Sequence, residues 1–346
     1  MMKVKELLAV FGLFITLSVS AQDYFNHMDL GVNVSSMGIG ADIAMPVGDY
    51  VRVRTGFTYM PRFSLRSNFG VDFTGNVSSD MVHRMKEVMT DFTGQEIQDN
   101  IDMRLRPTWT QFKFLVDIMP FRNNKHWNVT LGFFVGPSKI GEALNEPSGS
   151  TTLVGVNLYN NMYIKAFEGV DLFKWKDADG VIHNIDVGFL PDKLKETGMM
   201  GAPMGTFPDG TKAVMVPDKN NQVKAEMEVS KFRPYLGVGY TSTLTHDQRL
   251  KLAVDAGVLF WGGKPHVYVD NVYRVSNDPD ECPLVSWNWD RYNAGEEYPW
   301  DPVAPQRIDL TRDVTNIPGK VGTMVNTIKK FKCWPVISIT LSYKLF

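Results

Sequence analysis

The chain has 346 residues, of which 44% are hydrophobic and 12% aromatic, and its formal net charge is −2. This length fits one large domain or two ordinary ones, with ample apolar material for buried or lipid-facing surface. The charged residues are spread along the chain instead of forming a basic block. This distribution excludes the electrostatic footprint of a nucleic-acid-binding protein.

The N-terminal segment has the pattern of a secretory signal peptide. Lys3 and Lys5 precede an apolar stretch at 7–17, and small residues at 19–21 suit a signal peptidase. The alternative is a membrane-anchoring helix, but such a helix needs about 20 apolar residues and this stretch is shorter. We therefore expect residues 1–21 to be cleaved off, and no lipid anchor, because no cysteine follows the cleavage site.

The rest of the sequence predicts β-strands. No later stretch approaches 18 uncharged apolar residues, so an exported chain of this kind is either soluble or a β-barrel. In the third predicted strand, Val51, Val53 and Phe57 share one face, whereas Arg52 and Arg54 share the other, which is the two-residue period of a strand. The predicted strands cover 24–35, 38–47, 50–60, 108–120, 127–139, 229–243, 249–261 and 333–346.

The connections between these strands indicate which kind of β-protein this is. A tight turn near Ser36 joins the first two strands, and short turns follow strands 2, 4 and 6, whereas long segments follow strands 3, 5 and 7, at about 61–107, 141–228 and 262–332. In a soluble sandwich, short and long loops are not expected to alternate along the chain. In an outer-membrane barrel they do, because the periplasmic turns are short and the extracellular loops are long. We therefore predict that 22–346 form an all-β fold, an antiparallel transmembrane β-barrel of eight strands with long ordered extracellular loops.

The final predicted strand fits the closure of such a barrel. Its residues Ile337, Ile339 and Leu341 are expected to face lipid, with the polar residues between them facing the interior. The last strand has to pair with the first, because a free strand edge is unfavourable in hydrocarbon. An end in mid-strand at Phe346 agrees with this role.

These features together resemble small eight-stranded outer-membrane barrels of the OmpA-transmembrane and OmpX-like type. The resemblance covers the strands, particularly those at 31–59, and the C-terminal segment is similar to the assembly signal of outer-membrane barrels. Phe346 is one place out of register with that signal, since Tyr343 and Leu345 hold the alternate positions. The resemblance implies insertion into the outer membrane of a Gram-negative bacterium by the barrel-assembly machinery. It implies no function, because such barrels serve as anchors, adhesins, pores or lipid-modifying enzymes.

The inward faces of the predicted strands carry charges of both signs. The interior of an eight-stranded barrel is just wide enough for side chains, so we expect these charges to pair and to hold the barrel shut. The alternative is a gated polar pore. The predicted lumen charge network comprises Asp42, Arg52, Arg54, Lys113, Asp117, Arg233, Lys251 and Asp255, with Asp29 on the same surface.

Candidate catalytic and metal-binding residues are few. His266 and Asp270 lie four residues apart near the outer end of the seventh strand, as a hydrolytic dyad would, but no dedicated nucleophile motif accompanies them. Asp177 and Asp179 are spaced as in a calcium loop, but Trp175 stands where a third oxygen ligand is needed, so a hairpin turn is the better interpretation. We predict no enzymatic activity, no metal and no cofactor.

Other parts of the long loops carry signals of regular structure. The segments 170–187 and 205–224 contain Asp-Gly turns and are interpreted as hairpins. The methionine-rich segment after Ser79 has the spacing of an amphipathic helix. We therefore expect the loops to be ordered.

The chain contains two cysteines, Cys282 in the last long loop and Cys333 at the start of the eighth strand. Both are expected on the oxidising side of the inner membrane. We predict a disulfide that ties the loop to the barrel rim and contributes about 4 kcal/mol in the chain-entropy model. Two unpaired thiols are the alternative.

The last long loop also contains an aromatic-rich segment. Some of its rings would sit at the membrane interface or pack within the loop, but their distance from the strand ends favours a binding surface. Aromatic side chains suit the faces of sugars or a protein partner, because they give a large contact area at a low entropic cost. The predicted ligand-binding residues are Trp287, Trp289, Tyr292, Tyr298 and Trp300.

The sequence thus predicts a non-enzymatic barrel, embedded in outer-membrane lipid, whose surface loops bind an external glycan or protein in the manner of an adhesin or anchor. The alternative function is a porin-like channel for small solutes. A surface hydrolase that uses His266 is a third hypothesis.

Overall fold

A computed structural model describes residues 27–70, 72–73, 87, 90, 100–145, 151–169, 174–176, 181–184, 188, 190–278 and 280–345. The predicted signal peptide, nearly all of the helical segment after Ser79, the two aspartates of the calcium-like segment and Phe346 lie outside these residues. Within the described residues, no helix is both long enough and apolar enough to cross a membrane.

The described part of the chain is built mainly from strands. The strands are β1 (Asp29–Ser35), β2 (Gly38–Val47), β3 (Val51–Tyr59), β4 (Leu65–Gly70), β5 (Asp72–Phe73), β6 (Asn100–Pro107), β7 (Thr110–Ile118), β8 (Trp127–Val135), β9 (Lys139–Asn145), β10 (Lys174–Lys176), β11 (Ile182–Asn184), β12 (Met200–Thr206), β13 (Lys212–Met215), β14 (Lys224–Glu228), β15 (Phe232–Thr243), β16 (Leu250–Phe260), β17 (His266–Val275), β18 (Val285–Trp287), β19 (Trp300–Pro302), β20 (Gln306–Asp309) and β21 (Cys333–Lys344). The helices are α1 (Thr151–Glu168), α2 (Leu190–Thr197), α3 (Trp289–Asn293) and α4 (Gly319–Lys330).

Eight strands close into an antiparallel barrel in the order β1-β2-β3-β7-β8-β15-β16-β21. The last strand completes the ring by pairing with both β16 and β1, where Val32 lies opposite Leu341. Short turns at 48–50, 119–126 and 244–249 mark one end of the barrel, called here the short-turn end, and the opposite end is the long-loop end. The predicted eight-stranded antiparallel barrel is therefore confirmed, with strand ends that differ by a few residues.

Side chains alternate between the two surfaces of the barrel wall. Apolar residues on the outer surface are exposed, among them Val32, Val238 and Ile337. Exposed aromatic side chains occupy both ends of this surface: Trp127, Tyr240 and Tyr343 at the short-turn end, and Tyr59, Phe232 and Phe260 at the long-loop end. The inner surface carries buried polar residues, namely Asp29, Asn33, Asp42, Arg54, Thr58, Gln111, Lys113, Asp117, Asn128, Thr130, Arg233, Asp255 and Thr340.

The three long segments fold together into a second sheet beyond the long-loop end, called here the loop sheet. Its strand order is β4-β6-β9-β14-β17-β13-β12-β5, and β20 also pairs with β17. Strands from different segments are neighbours, because β6 pairs with β9 and β14 pairs with β17. Strand pairs are present in both predicted hairpins, β10–β11 and β12–β13, but the sheet that joins all three segments was not predicted.

A second apolar core holds the loop sheet together. Helix α1 contributes Leu153, Val156 and Tyr159, which lie on one face at helical spacing. Strand residues such as Met103 and Val269 belong to the same buried cluster. The described parts of the long loops thus form a packed structure with its own core.

Candidate functional site

The barrel lumen contains a buried ion-pair network. Arg54 is almost completely buried and lies 2.8 Å from Asp117 Oδ1 and 2.9 Å from Asp255 Oδ2. Arg52 lies 2.7 Å from the other oxygen of Asp117, and the Thr130 hydroxyl donates a hydrogen bond to Asp117 Oδ1 at 2.7 Å. These residues of four different strands cross-link the inside of the wall.

Two further ion pairs extend this network. Lys113 lies 2.7 Å from Asp42, and Lys251 lies 2.7 Å from Asp29. The carboxylates of both pairs are almost completely buried. Seven of the eight predicted network residues are therefore ion-paired within the lumen.

Arg233 has a different role from the one predicted. Its guanidinium is buried at the long-loop end and donates to Gln111 Oε1 at 2.8 Å, to the Ser230 carbonyl at 2.8 Å and to the Pro137 carbonyl. Among the described residues, no carboxylate pairs with it. The prediction that Arg233 belongs to the charge network is corrected: it is the second residue of β15, where backbone carbonyls of the adjacent connections are its acceptors.

An apolar layer fills the lumen at the long-loop end. Met37, in the turn between β1 and β2, belongs to the same buried cluster as Phe134, Tyr235 and Leu259. A cavity of about 20 Å³ lies between this layer and the ion pairs, which is room for about one water molecule. The lumen is thus filled by apolar side chains at the long-loop end and by ion pairs nearer the short-turn end.

Three tryptophans join the barrel to the loop sheet. Trp109 precedes β7, Trp261 follows β16 and Trp334 lies at the start of β21, so they meet at the long-loop end. The ring centroid of Trp334 lies 5.5 Å from that of Trp109 and 6.0 Å from that of Trp261. Their indole N–H groups are buried and have no hydrogen-bond partner among the described residues. We call these three residues the tryptophan floor.

An apolar cavity of about 330 Å³ lies between the tryptophan floor and the inner face of the loop sheet. One wall is a row of residues on four adjacent strands, namely Leu105, Ala143, Ala225 and Val269. The opposite wall is one face of α4, formed by Val321, Met324, Val325 and Ile328. The wall is almost entirely apolar, so the cavity suits an apolar molecule.

Charged residues lie on the face of the loop sheet opposite this cavity, because they alternate along the strands with the apolar wall residues. The ammonium groups of Lys139 and Lys224 lie 2.8 Å and 2.7 Å from Glu226 Oε1. Burial raises the pKa of Glu226, but hydrogen bonds from both lysines outweigh this effect and lower the pKa to about 2. Arg106 lies opposite Glu142 in the strand pairing and so shares a sheet face with these charged residues.

The predicted aromatic residues gather on the small β18–β19 sheet and on α3. The ring centroid of Trp287 lies 5.9 Å from Trp289, 5.3 Å from Tyr292 and 5.2 Å from Trp300. Trp289 is 67% exposed and Tyr292 is 51% exposed. These four residues are called here the ring cluster. Tyr298 is also exposed and lies in the same segment.

Polar contacts hold the ring cluster in place. The Asn288 side-chain oxygen accepts hydrogen bonds from the backbone N–H groups of Asp290 and Arg291 and so caps α3. Arg291 donates to Asp301 Oδ1 and to the Trp300 carbonyl, both at 2.8 Å. Hydrogen bonds from Asn288 and Arg291 hold the pKa of Asp301 below its usual range. The rings are thus presented on a hydrogen-bonded support.

His266 and Asp270, considered above as a candidate pair, are not partners in the structure. Its Nδ1 lies 2.6 Å from Asp309 Oδ2, because β17 pairs with β20 and brings Asp309 alongside. Asp270 instead lies 3.5 Å from Arg307 Nε. Burial raises the pKa of Asp309, but hydrogen bonds from Thr311 and His266 outweigh this effect and lower the pKa. His266 thus forms a contact with Asp309 between β17 and β20, and the third hypothesis, a hydrolase with a His266–Asp270 pair, loses its geometry.

The predicted disulfide is absent from the structure, in which both cysteines are free. Cys282 is buried in the core of the loop sheet, and this burial raises the pKa of its thiol. Cys333 lies on the barrel wall opposite Phe260. Cys282 therefore belongs to the loop sheet and Cys333 to the barrel. Their positions in the sequence did not indicate this separation.

Comparisons with known proteins give no functional assignment. No family model matches the chain, and no curated protein matches it. Among solved structures, the chain is similar to CarO of Acinetobacter baumannii at 10% identity and a TM-score of 0.37, over 91% of this chain and 96% of CarO. It is similar to CarO2 of the same organism at 10% identity and a TM-score of 0.35, over 92% of this chain and 99% of CarO2. The barrel assignment therefore rests on the strand pairing of this chain.

The tryptophan floor and the apolar cavity were missed by the sequence reasoning. One signal was present, since each of the three tryptophans lies at the long-loop end of a predicted strand. The cavity wall had no comparable signal, because its residues come from strands whose pairing partners are distant in the sequence.

Proposed function

We propose that this chain is an outer-membrane barrel that serves as a closed anchor for an extracellular binding structure. The outer surface supports the location: it is an exposed apolar band with aromatic side chains at both ends, as expected of a barrel in lipid. In water such a continuous apolar surface would be unfavourable. The barrel strands, at 7 to 12 residues, suit tilted transmembrane strands of about 10 residues. Outer-membrane barrels have their short turns in the periplasm, so the loop sheet of this chain lies outside the cell.

The filled lumen favours an anchor over the alternative function of a channel. Ion pairs around Arg54 and the apolar layer around Phe134 both obstruct the path through the barrel. We expect the purified protein in planar lipid bilayers to give no stable openings of nanosiemens scale. Recording single-channel currents tests this expectation, and reproducible openings of that size would support the channel and contradict the anchor.

The ring cluster is the proposed contact surface for an external partner. The observation that carries this proposal is the exposure of Trp289 and Tyr292 on a support fixed by Asn288 and Arg291. Preorganised aromatic side chains lose little conformational entropy when they bind, and their faces suit sugar rings or a protein partner. We propose a glycan or protein at the cell surface as the ligand and no enzymatic activity.

Replacing Trp289 with alanine is expected to reduce binding at least tenfold. The ring of Trp289 is the most exposed of the cluster and therefore offers the largest contact area to a partner. Binding of the purified protein to a glycan array and to envelope extracts measures the effect, and the heat-modifiable mobility of the barrel reports folding.

The matched control is Phe121→Ala, which removes an exposed ring from a turn at the short-turn end. This variant should bind like the unchanged protein. Equal binding by Trp289→Ala, Phe121→Ala and the unchanged protein would remove the ring cluster from consideration.

A further inference from the structure

We propose that the cavity above the tryptophan floor is a binding site for a small neutral aromatic hydrocarbon, about the size of two fused rings, that enters from the outer surface of the loop sheet. The site is separate from the ring cluster, so it does not depend on the proposed glycan or protein partner. Three observations carry the proposal: a sheet that curls around the cavity, an apolar wall, and an exposed apolar mouth.

The loop sheet curls until its two edges come together. The edge strands β4 and β5 pair with β6 and β12, which lie towards opposite ends of the strand order. However, β4 ends at Gly70 and β5 begins at Asp72, and two Cα atoms at this separation in the chain are at most about 7 Å apart. The strands of the loop sheet therefore surround its inner face, where the cavity lies.

The inner face of this curled sheet is apolar. One pairing row crosses five strands, and each of its members lines the cavity: Leu65, Leu105, Ala143, Ala225 and Val269. The charged residues of these strands alternate with the wall residues and so face the other side of the sheet. A polar or ionised ligand would lose its hydrogen bonds to water on entering and would find almost no partner there. The wall therefore selects a neutral apolar molecule.

The volume of the cavity sets the size of the ligand. An apolar cavity of about 150 Å³ stays dry and holds one benzene molecule. The cavity above the tryptophan floor measures about 330 Å³, which is roughly twice that volume. A molecule of two fused aromatic rings therefore fits.

The side chains of the lining favour an aromatic ligand over an aliphatic one of similar size. Among the described residues, five methionines from five different elements line the cavity: Met103, Met204, Met215, Met227 and Met324. Their thioether groups are flexible and polarisable and make favourable contacts with aromatic rings. The indole rings of the tryptophan floor offer edge-to-face or offset-stacked contacts as well. An alkane gains neither kind of contact.

An exposed apolar mouth leads into the cavity. Phe63 and Leu65 both line it, yet they are 49% and 58% exposed. Leu65 is the first residue of β4, and β4 contacts α4, which forms the opposite wall. A ligand therefore reaches the cavity past these two side chains without passing through the filled lumen of the barrel.

The test uses the full chain in lipid nanodiscs, with its tryptophans replaced by 5-fluorotryptophan and titrated with naphthalene. The ring current of bound naphthalene is expected to shift the ¹⁹F resonances of Trp109, Trp261 and Trp334 until the site is saturated. Trp127 on the outer surface of the barrel reports partitioning into lipid, and Trp289 reports adsorption to the ring cluster. Neither of these two resonances should follow the saturation curve of the floor. Resonances are assigned from single Trp→Phe variants.

A second ligand and three variants test the wall. 2-Naphthoate keeps both rings and adds a carboxylate, so it should bind about tenfold more weakly than naphthalene or worse, because the wall offers its charge no partner. Ala225→Leu and Ala143→Leu each place a larger side chain in the cavity, and each should weaken naphthalene binding by about tenfold or more. Ala304→Leu makes the same change at an exposed position away from the cavity and should bind naphthalene like the unchanged chain.

The outcomes decide the proposal in either direction. It is overturned if naphthalene leaves the three floor resonances unshifted, if 2-naphthoate binds as tightly as naphthalene, or if the two cavity-filling variants bind naphthalene as tightly as Ala304→Leu. Shifts of Trp127 or Trp289 that saturate together with those of the floor would show adsorption and would also overturn it. The heat-modifiable mobility of each variant reports folding, and if neither cavity-filling variant folds, the comparison of the two ligands on the unchanged chain decides.

Discussion

Replacing Arg54 with methionine is expected to destabilise the folded barrel by about 3–5 kcal/mol. Arg54 is the shared partner of Asp117 and Asp255, and all three side chains are almost completely buried. Methionine preserves much of the side-chain volume but leaves Asp255 without its arginine in a site away from water. The free energy of unfolding, measured in urea by the heat-modifiable mobility on gels, gives the effect.

Arg52→Met is the matched control for this prediction. Arg52 makes the same kind of contact to Asp117 but is more exposed, and its loss leaves Asp117 paired with Arg54. We expect a cost of about 1 kcal/mol, typical of a partly exposed pair. A cost for Arg54→Met no larger than that for Arg52→Met would show that the network does not hold the barrel together.

Replacing Trp261 with alanine is expected to cost about 3–5 kcal/mol, because it leaves a large void at the junction of the barrel and the loop sheet. Trp261 is 1% exposed and its ring packs with those of Trp109 and Trp334. Its backbone also bridges Ser230 and Lys332. Urea unfolding followed by tryptophan fluorescence should show the loop sheet unfolding at a lower urea concentration than in the unchanged protein.

Two further variants test whether the destabilisation comes from the lost packing of the Trp261 ring. Trp261→Phe should cost much less than Trp261→Ala, because it keeps most of the ring and removes an indole N–H that has no partner among the described residues. Trp127→Ala removes an exposed ring from the outer surface and should also cost less in detergent. Equal losses for Trp261→Ala and Trp127→Ala would contradict the structural role of the floor.

The barrel could be predicted from the sequence because the patterns that specify it involve residues close together in the chain. Alternation in segments such as 51–59 and the parity of the turns depend only on neighbouring residues, and one surface of each strand has to meet lipid or solvent. Even the inward position of Arg54 and Asp117 followed from this period. The assignment of Arg233 to the charge network was wrong, because strand period gives the face of a residue but not the acceptors beside it, which are carbonyls of the adjacent connections and Gln111.

The loop sheet could not be predicted because its strands pair with strands that are distant in the sequence. The row Leu105, Ala143, Ala225 and Val269 joins four strands from three separate segments, and short strands with weak alternation do not specify their partners. The same limit explains His266, whose real partner Asp309 is 43 residues away. The ring cluster was anticipated because its residues are close together in the sequence.

The interleaved strand order of the loop sheet means that no long loop is an independent module. β6 needs β9, and β14 needs β17, so grafting one loop onto another barrel would transfer strands without their neighbours. Insertions or deletions in one loop are expected to require matching changes in the other two. Because these pairings span long sequence separations, we also expect the loop sheet to form late and slowly, after the barrel has brought the three segments together.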